Sequence, residues 1–401
     1  MTGIIVVGAG QAGAALVAKL RTEGYEGAIT LIGDEPQPPY QRPPLSKQYL
    51  LKEMALDRLF LRADSFYDEQ NITLRLGAPV TAIDPAAKTL TLGEEVLSYD
   101  QLALTTGSLS RCLPAAIGGD LEGVYTVRTL ADIDRMEPEF QPGRRALIIG
   151  GGYIGLEAAA VAAKLGLKLT LVEMADRILQ RVASPQTSDY FRALHTAHGV
   201  EIIEGTGLAR LTGEGRVAAA ELTDGRRIEV DFVILGVGIT PDTRLAEAAG
   251  LTLDNGIRTD ALGRTCDPAI WAAGDCNSFP WKGRRLRLES VSNAIHQAET
   301  VACNMLGAGL DYIAKPWFWS DQYDVKLQIA GLNAGYDRTV TRGTGASLSV
   351  WYYAGDRLLA VDAMNDPRAY MIGKRLIEAE RSPAPEVVAD PATELKALLQ
   401  A

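Results

Sequence analysis

The sequence has 401 residues, of which 47% are hydrophobic and 22% are charged, and its formal net charge is -10. This length allows two or three domains, and this composition is typical of globular proteins. The negative total disfavours nucleic acid and anionic membranes as partners, because both attract basic surfaces. No stretch approaches the ~20 apolar residues of a membrane span, and no signal peptide is indicated, so we expect a cytoplasmic protein.

Two segments, residues 4–32 and 146–172, share the pattern of a buried strand, a glycine turn and a helix that leads to a second strand. The first glycine of such a turn permits a tight bend, the second lets the backbone approach a pyrophosphate, and the third lets the helix pack on the strand. The phosphates then lie at the helix N-terminus, where N–H groups favour negative charge. The pattern predicts two dinucleotide-binding units. Their glycines are Gly8, Gly10 and Gly13, and Gly150, Gly152 and Gly155.

An acidic residue at the end of the second strand of each unit should bind ribose hydroxyls. Glu173 has this position in the second unit, and its carboxylate would repel a 2′-phosphate, which favours NADH over NADPH. Arg177 lies close enough in sequence to weaken that preference. In the first unit Gly33 stands opposite Glu173, so the contact moves to Asp34 or Glu35, of which we favour Asp34.

The sequence changes character from about residue 316. Aromatic residues cluster there, and apolar residues alternate in 347–353 and 358–361, which indicates an antiparallel sheet followed by a helix. The tail beyond Ser382 contains three prolines and suggests a loosely held extension before a short amphipathic helix.

The cysteines have neither a C-x-x-C motif nor metal-ligand spacing, so we expect small buried apolar residues, with no metal site. The histidines are expected to be structural. These residues are Cys112, Cys266, Cys276 and Cys303, and His195, His198 and His296.

Further motifs are spread over nearly the whole chain. They are Arg42-Pro43-Pro44-Leu45-Ser46-Lys47, Gly274-Asp275-Cys276 and Trp317-Phe318-Trp319-Ser320-Asp321-Gln322-Tyr323. In these motifs and in its glycine turns, the sequence resembles the NADH-dependent ferredoxin reductases of bacterial cytochrome P450 and Rieske oxygenase systems. Disulfide reductases of the same superfamily carry a redox cysteine pair after the second strand, whereas residues 38–47 contain no cysteine. Thiol chemistry at a flavin is therefore not expected.

The resemblance implies an α/β fold with two Rossmann-like dinucleotide-binding domains, the NAD domain inserted into the FAD domain, and a C-terminal α+β domain. The expected FAD domain consists of residues 1–110 and 242–315. The NAD domain is expected at 111–241 and the C-terminal domain at 316–401.

The resemblance also implies FAD and NADH as cofactors and a [2Fe-2S] ferredoxin as partner, which would serve a cytochrome P450 or a Rieske oxygenase. Lys47 and Glu157 should lie near the flavin and the nicotinamide, and Trp319 against the flavin ring, so these three are the candidate catalytic residues. The family's FAD contacts fall on Ala12, Asp34, Lys47, Val80, Arg128, Asp275 and Val291.

Two alternatives stay open at this point: a reductase of rubredoxin or monodehydroascorbate, and an NADH-sensing flavoprotein similar to apoptosis-inducing factor. An acidic ferredoxin also needs a locally positive surface. The two candidate patches are Lys282, Arg284, Arg285 and Arg287, and Lys374 with Arg375.

Overall fold

The computed structural model describes residues 3–399, which divide into two compact units. The first unit comprises 3–42, Met54–Leu109 and Ile239–Lys315. The second comprises Pro43–Glu53, Ser110–Gly238 and 316–399. The nucleotide segment around Gly150 and the C-terminal segment thus belong to one unit, and the domain boundaries given above stay a prediction.

A five-stranded parallel sheet forms the core of the first unit. Its central strand is buried on both faces, as expected for a run of β-branched residues in a parallel sheet. One face packs on the helices Gln11–Thr22 and Val291–Met305, and the other face packs on a three-stranded antiparallel sheet. In spatial order, the parallel strands are Ile270–Ala272, Gln101–Leu104, Ile4–Val7, Ile29–Ile32 and Ile72–Arg75. The antiparallel strands are Val80–Asp84, Thr89–Leu92 and Glu95–Ser98.

Shorter elements complete the first unit. They are the helices Asp64–Glu69 and Arg244–Ala248, the 3-10 turn Leu56–Arg58, and the strands Ile257–Arg258, Asn277–Trp281 and Arg284–Leu286. The strands Ser108–Ser110 and Ile239–Pro241 lie where the chain passes between the units.

A second five-stranded parallel sheet lies in the second unit. The helix Tyr153–Lys164 follows its central strand and is buried along most of its length, because small and apolar residues cover nearly all of its sides. In spatial order, the strands are Glu201–Glu204, Lys168–Glu173, Arg145–Ile149, Phe232–Leu235 and Val124–Thr126. The other helices are Leu130–Met136 and Pro185–Ala197, with 3-10 turns at Ala115–Ile117 and Glu137–Glu139, and a three-stranded sheet is formed by Leu208–Thr212, Ala219–Leu222 and Arg227–Glu229.

The C-terminal part of the second unit is a five-stranded antiparallel sheet. The helix Pro367–Glu378 packs on one face of it through Tyr370, Ile372 and Leu376. The antiparallel sheet followed by a helix is therefore confirmed. In spatial order, its strands are Trp317–Gln322, Val325–Gly331, Arg357–Met364, Ser347–Ala354 and Arg338–Thr344.

Two expectations from the sequence are wrong. The tail beyond Ser382 is not loosely held: its short helix Pro385–Ala389 and the 3-10 turn Leu395–Leu399 bury apolar side chains in the core, and Arg342 donates hydrogen bonds to its carbonyls. The cysteines are not uniformly buried either, since Cys112 and Cys266 are exposed. Loop positions tolerate an exposed thiol, and the spacing of cysteines in the sequence does not indicate whether they are exposed.

No helix within residues 3–399 is long and apolar enough to cross a membrane.

Candidate nucleotide and redox site

The first glycine turn is shaped by its three glycines in different ways. Gly8 has φ +113°, and a Cβ there would lie 2.2 Å from the carbonyl oxygen of Thr105. A Cβ at Gly13 would lie 2.1 Å from the Gly8 oxygen. In contrast, a Cβ at Gly10 would meet no atom of the described chain within 4 Å. The protein thus leaves space in front of Gly10, where the helix Gln11–Thr22 begins without a side-chain cap or an acidic first turn. This arrangement fits a phosphate group.

The second glycine turn repeats this arrangement. Gly150 has φ +105° and a Cβ there would approach the Gly236 oxygen to 2.4 Å, while a Cβ at Gly155 would lie 2.1 Å from the Gly150 oxygen. At Gly152 the added Cβ again meets nothing within 4 Å in residues 3–399, and the following helix has no side-chain cap. Both turns therefore fit the pyrophosphate of a dinucleotide.

The acidic groups differ between the two turns. Glu173 ends its strand and accepts hydrogen bonds from the Gly151 N–H at 2.7 Å and the Ala175 N–H at 2.8 Å. A carboxylate has about four acceptor positions, so Glu173 can still accept from a ribose hydroxyl. In the first unit a Cβ at Gly33 would lie only 2.6 Å from the Cβ of Ala9, so no side chain fits opposite Glu173.

Asp34 and Glu35 differ in how they are bound within the protein. The Glu35 carboxylate accepts from the Tyr40 hydroxyl at 2.5 Å and from Arg42 at 2.6 Å, whereas Asp34 is exposed. Asp34 is therefore the better placed of the two to reach a ligand, which agrees with the preference from the sequence.

Arg177 is held away from a role in phosphate binding. Its guanidinium donates to the Ser188 hydroxyl and to the carbonyls of Ala183 at 2.8 Å and Gln180 at 3.5 Å. A 2′-phosphate could recruit it only by breaking these bonds. Arg177 therefore does not oppose the predicted preference for NADH over NADPH.

Of the other proposed FAD residues of the first unit, Asp275 lies beside the first turn, since its neighbour Gly274 packs on Ala12. A Cβ at Gly274 would lie 3.0 Å from the Cβ of Ala12, and the Gly274 N–H donates to Gln297 of the helix that starts at Val291. The adjacent Asp275 accepts a 3.5 Å hydrogen bond from Ser108. Val80 begins its strand and packs at the edge of the core on the other face of the sheet.

Lys47 and Glu157 form a buried ion pair within the second unit. Lys47 lies in a π-helical turn, Leu45–Tyr49, with φ -128° and ψ -105°. Its Nζ is 3.0 Å from Oε1 of Glu157 and 4.0 Å from Oδ2 of Asp321, and Lys47 and Glu157 are each 9% exposed. Burial raises the pKa of Glu157, which Lys47 and the Ser320 hydroxyl counteract. The sequence predicts both residues near the flavin and the nicotinamide, which stays a prediction. It does not identify their neighbour Ser320, whose hydroxyl donates to Glu157 at 2.7 Å.

Trp319 and Arg128, the remaining predicted site residues, also belong to the second unit. Trp319 is half-buried in the strand Trp317–Gln322, and its ring stacks on Trp317 with centroids 5.5 Å apart and planes at 29°. Arg128 is half-buried just before the helix Leu130–Met136. Their contacts with FAD stay predictions.

Cys276 is the cysteine next to Asp275, and it is fully buried. Burial raises the pKa of its thiol, so it stays protonated and unreactive at neutral pH. The expectation that no thiol takes part in flavin chemistry stays a prediction.

The predicted docking patches are partly committed to contacts within the protein. Arg285 donates to the Thr259 carbonyl at 2.9 Å, and Arg287 pairs with Glu289 at 2.5 Å. Lys374 pairs with Glu378 at 3.3 Å. The docking surface stays a prediction.

Two glycine turns that fit a pyrophosphate, one on each of two parallel sheets, together with an acidic residue at the end of the strand after one of them, are typical of a dinucleotide-dependent oxidoreductase. Residues 2–298 match the family model "Pyridine nucleotide-disulphide oxidoreductase", and residues 317–399 match "Reductase C-terminal". The chain belongs to the pyridine nucleotide-disulphide oxidoreductase family. The predicted fold class is confirmed.

Several relatives match this chain over nearly their full length. Rhodocoxin reductase of Rhodococcus erythropolis is 41% identical over 98% of this chain and 93% of its own. Putidaredoxin reductase CamA of Pseudomonas putida is 40% identical over 99% and 97%. Among solved structures, the covalent putidaredoxin reductase–putidaredoxin complex matches with a TM-score of 0.96 and 39% identity, covering 100% of this chain and 98% of that one. The predicted resemblance to ferredoxin reductases is confirmed.

Proposed function

We propose that this protein is an FAD-dependent NADH:ferredoxin oxidoreductase, which passes electrons to a [2Fe-2S] ferredoxin that serves a cytochrome P450 or a Rieske oxygenase, in the cytoplasm. The observation that carries the proposal is the matching geometry of the two glycine turns, each with a vacant Cβ position before an uncapped helix. Full-length relatives named as reductases of redoxins support the choice of acceptor.

We assign one nucleotide to each of the two turns. The first turn, with Ala12, Asp34 and Asp275, would hold FAD, and the second turn, with Glu173, would hold NADH. Bound FAD supplies the chemistry, since it accepts a hydride and releases its two electrons singly. The protein needs to orient the two nucleotides and exclude water, because hydride transfer needs no general base.

Lys47 and Glu157 are proposed as the charged groups that act on the redox centre. A buried cation can stabilise negative charge that develops nearby, and Glu157 holds Lys47 in place at 3.0 Å. Lys47→Met should slow flavin reduction by NADH about 10²-fold, the usual size of an electrostatic contribution of this kind. Lys52→Met is the matched control, because Lys52 is an exposed lysine paired with Glu137. Equal rates in the two variants would remove Lys47 from the site.

The decisive test of the function is anaerobic. The purified holoprotein is mixed with NADH or NADPH, flavin absorbance is followed, and a [2Fe-2S] ferredoxin, rubredoxin or monodehydroascorbate is then added. We expect rapid bleaching with NADH and the fastest reoxidation with ferredoxin. If NADH bleaches the flavin and another acceptor is faster, only the partner is wrong. Failure of NADH to bleach it, or slow bleaching accompanied by NADH-dependent dimerisation, would contradict the enzymatic role.

A further inference from the structure

A chain of polar side chains leads from Glu157 along one face of the strand Trp317–Gln322 to Tyr323, just beyond its end. Ser320 donates to Glu157 at 2.7 Å, and Gln322 Nε2 donates to Ser320 Oγ at 3.0 Å. Gln322 Oε1 lies 2.8 Å from His195 Nε2. His195 Nδ1 in turn lies 3.1 Å from the Tyr323 hydroxyl. Ser320, Gln322 and His195 are fully buried.

The direction of every hydrogen bond in this chain is fixed. Because the Gln322 amide nitrogen donates to Ser320, its oxygen faces His195 and must accept from Nε2–H. Burial lowers the pKa of His195 to about 4, so the ring is neutral and its Nδ1 accepts. The Tyr323 hydroxyl is therefore the donor to Nδ1. Each donor points towards Glu157.

We propose that Tyr323, His195, Gln322 and Ser320 form a positioning relay that keeps a hydroxyl proton directed at Glu157, and so keeps Glu157 ionised beside Lys47. The inference rests on the proposed function, because it assigns these residues to the same redox site. Of these four residues only Ser320 touches Glu157, so the other three are positioning residues. The chain orients and does not conduct protons, since the Gln322 amide would have to change tautomer to pass one.

Two features of Tyr323 support this role. Its φ of +55° is rare for a residue with a side chain, so surrounding contacts must maintain it. Its ring stacks on His198 with centroids 3.6 Å apart and planes at 14°, which holds the hydroxyl over His195.

Several other groups also influence the pKa of Glu157. Burial and the Asp321 carboxylate raise the pKa of Glu157, while Lys47 and the Ser320 hydroxyl lower it. Loss of the Ser320 bond should raise that pKa by about one unit, as expected for one hydrogen bond to a charged group. Loss of Tyr323 or His195 should act in the same direction by roughly half a unit, because the freed amide can turn and draw the Ser320 proton away.

The test measures the rate of flavin reduction by NADH as a function of pH, and determines the midpoint of the fall in rate at acidic pH. We expect Ser320→Ala, Tyr323→Phe and His195→Leu to move this midpoint to higher pH, and His195→Gln to restore it, since Gln Nε2 can replace the imidazole donor. The controls are Tyr190→Phe, whose hydroxyl bonds the Ala346 carbonyl, and His296→Leu, an exposed position in the first unit. Unmoved midpoints in the folded variants would overturn the relay.

A second readout does not depend on activity or on folding of a variant. The sequence has three histidines, so ¹⁵N-histidine NMR of the holoprotein can assign His195 directly. We expect a neutral ring protonated at Nε2 down to about pH 5. A ring protonated at Nδ1 would overturn the inference, while leaving bleaching by NADH, and hence the proposed function, intact.

Discussion

The two glycine turns have the same backbone design and different surroundings. In each, the first and third glycines are required because a Cβ would strike a carbonyl oxygen within 2.4 Å, and the second faces vacant space. Their ribose acids differ, however: Glu173 can end its strand, while contact between Gly33 and Ala9 moves the acid to Asp34 in the first unit. The glycines thus shape the same vacant space in both turns, and the two units differ in the position of the acidic residue that is available to a ribose.

Substituting the third glycine of each turn tests its packing, and we expect this change to have the largest effect on stability. Gly13→Ala and Gly155→Ala each place a Cβ 2.1 Å from a carbonyl oxygen of the preceding turn. Each should destabilise the protein by ~3 kcal/mol or more, as forced overpacking does. Thermal denaturation is the measurement. Gly93→Ala is the control without a steric contact: its Cβ would meet no described atom within 4 Å, so only the backbone strain at φ +63° should lower its stability, by about 1 kcal/mol. A neutral Gly155→Ala would show that the turns are not equivalent.

Beside the second turn lies a buried polar cluster. The Tyr153 hydroxyl and Oδ1 of Asp362 have no hydrogen-bond partner among the described residues, although Oδ2 accepts from Thr187 at 2.8 Å and from Tyr352. Burial raises the pKa of Asp362 to about 6. The folded protein therefore binds this proton more tightly than the unfolded chain, and stability should fall as pH rises from about 4 to 6, by ~3 kcal/mol in total.

Asp362→Asn should remove this pH dependence. We expect the variant to gain stability relative to the wild type between pH 4 and pH 8, as measured by denaturant titration at each pH. Asp356→Asn, in an exposed turn, is the control. Parallel stability curves for the Asp362 variant and the wild type would contradict the assignment.

The coenzyme preference should follow Glu173. Glu173→Ala removes a ribose acceptor and a charge that repels a 2′-phosphate, so the ratio of kcat/KM for NADPH to that for NADH should rise about 10-fold to 100-fold, or ~1.4–2.7 kcal/mol. Glu201→Ala is the matched control, since Glu201 begins the neighbouring strand and is exposed. An unchanged ratio would mean that another group selects the coenzyme.

The acid of the first turn should have the smallest effect. Asp34→Asn should weaken FAD binding by roughly tenfold, the loss expected for one hydrogen bond to a charged group. Glu35→Gln should instead lower stability, because Glu35 is engaged by Tyr40 and Arg42. FAD titration of the apoprotein separates the two effects. Weaker FAD binding in the Glu35 variant alone would reverse our preference.

Local patterns in the sequence were enough to predict the turns, the parallel strands and Glu173, because those features depend on residues close together in the chain. The sequence predicts that the two helices end at about Arg21 and about Leu165, and they end at Thr22 and Lys164. The sequence predicts only a structural role for His195, because its hydrogen-bonding partners Gln322 and Tyr323 are more than a hundred residues away. The Asp362 cluster and the packed tail were missed for the same reason.

The central claim is that the first turn holds FAD and the second holds NADH. Gly10→Ala and Gly152→Ala place a Cβ only into the vacant phosphate space, so neither should disturb folding. The most direct measurement is a pair of titrations on each variant: FAD into apoprotein and NAD⁺ into holoprotein. We predict that Gly10→Ala weakens FAD binding alone and Gly152→Ala weakens NAD⁺ binding alone. Equal losses of both nucleotides in either variant, or the reverse assignment, would contradict the claim.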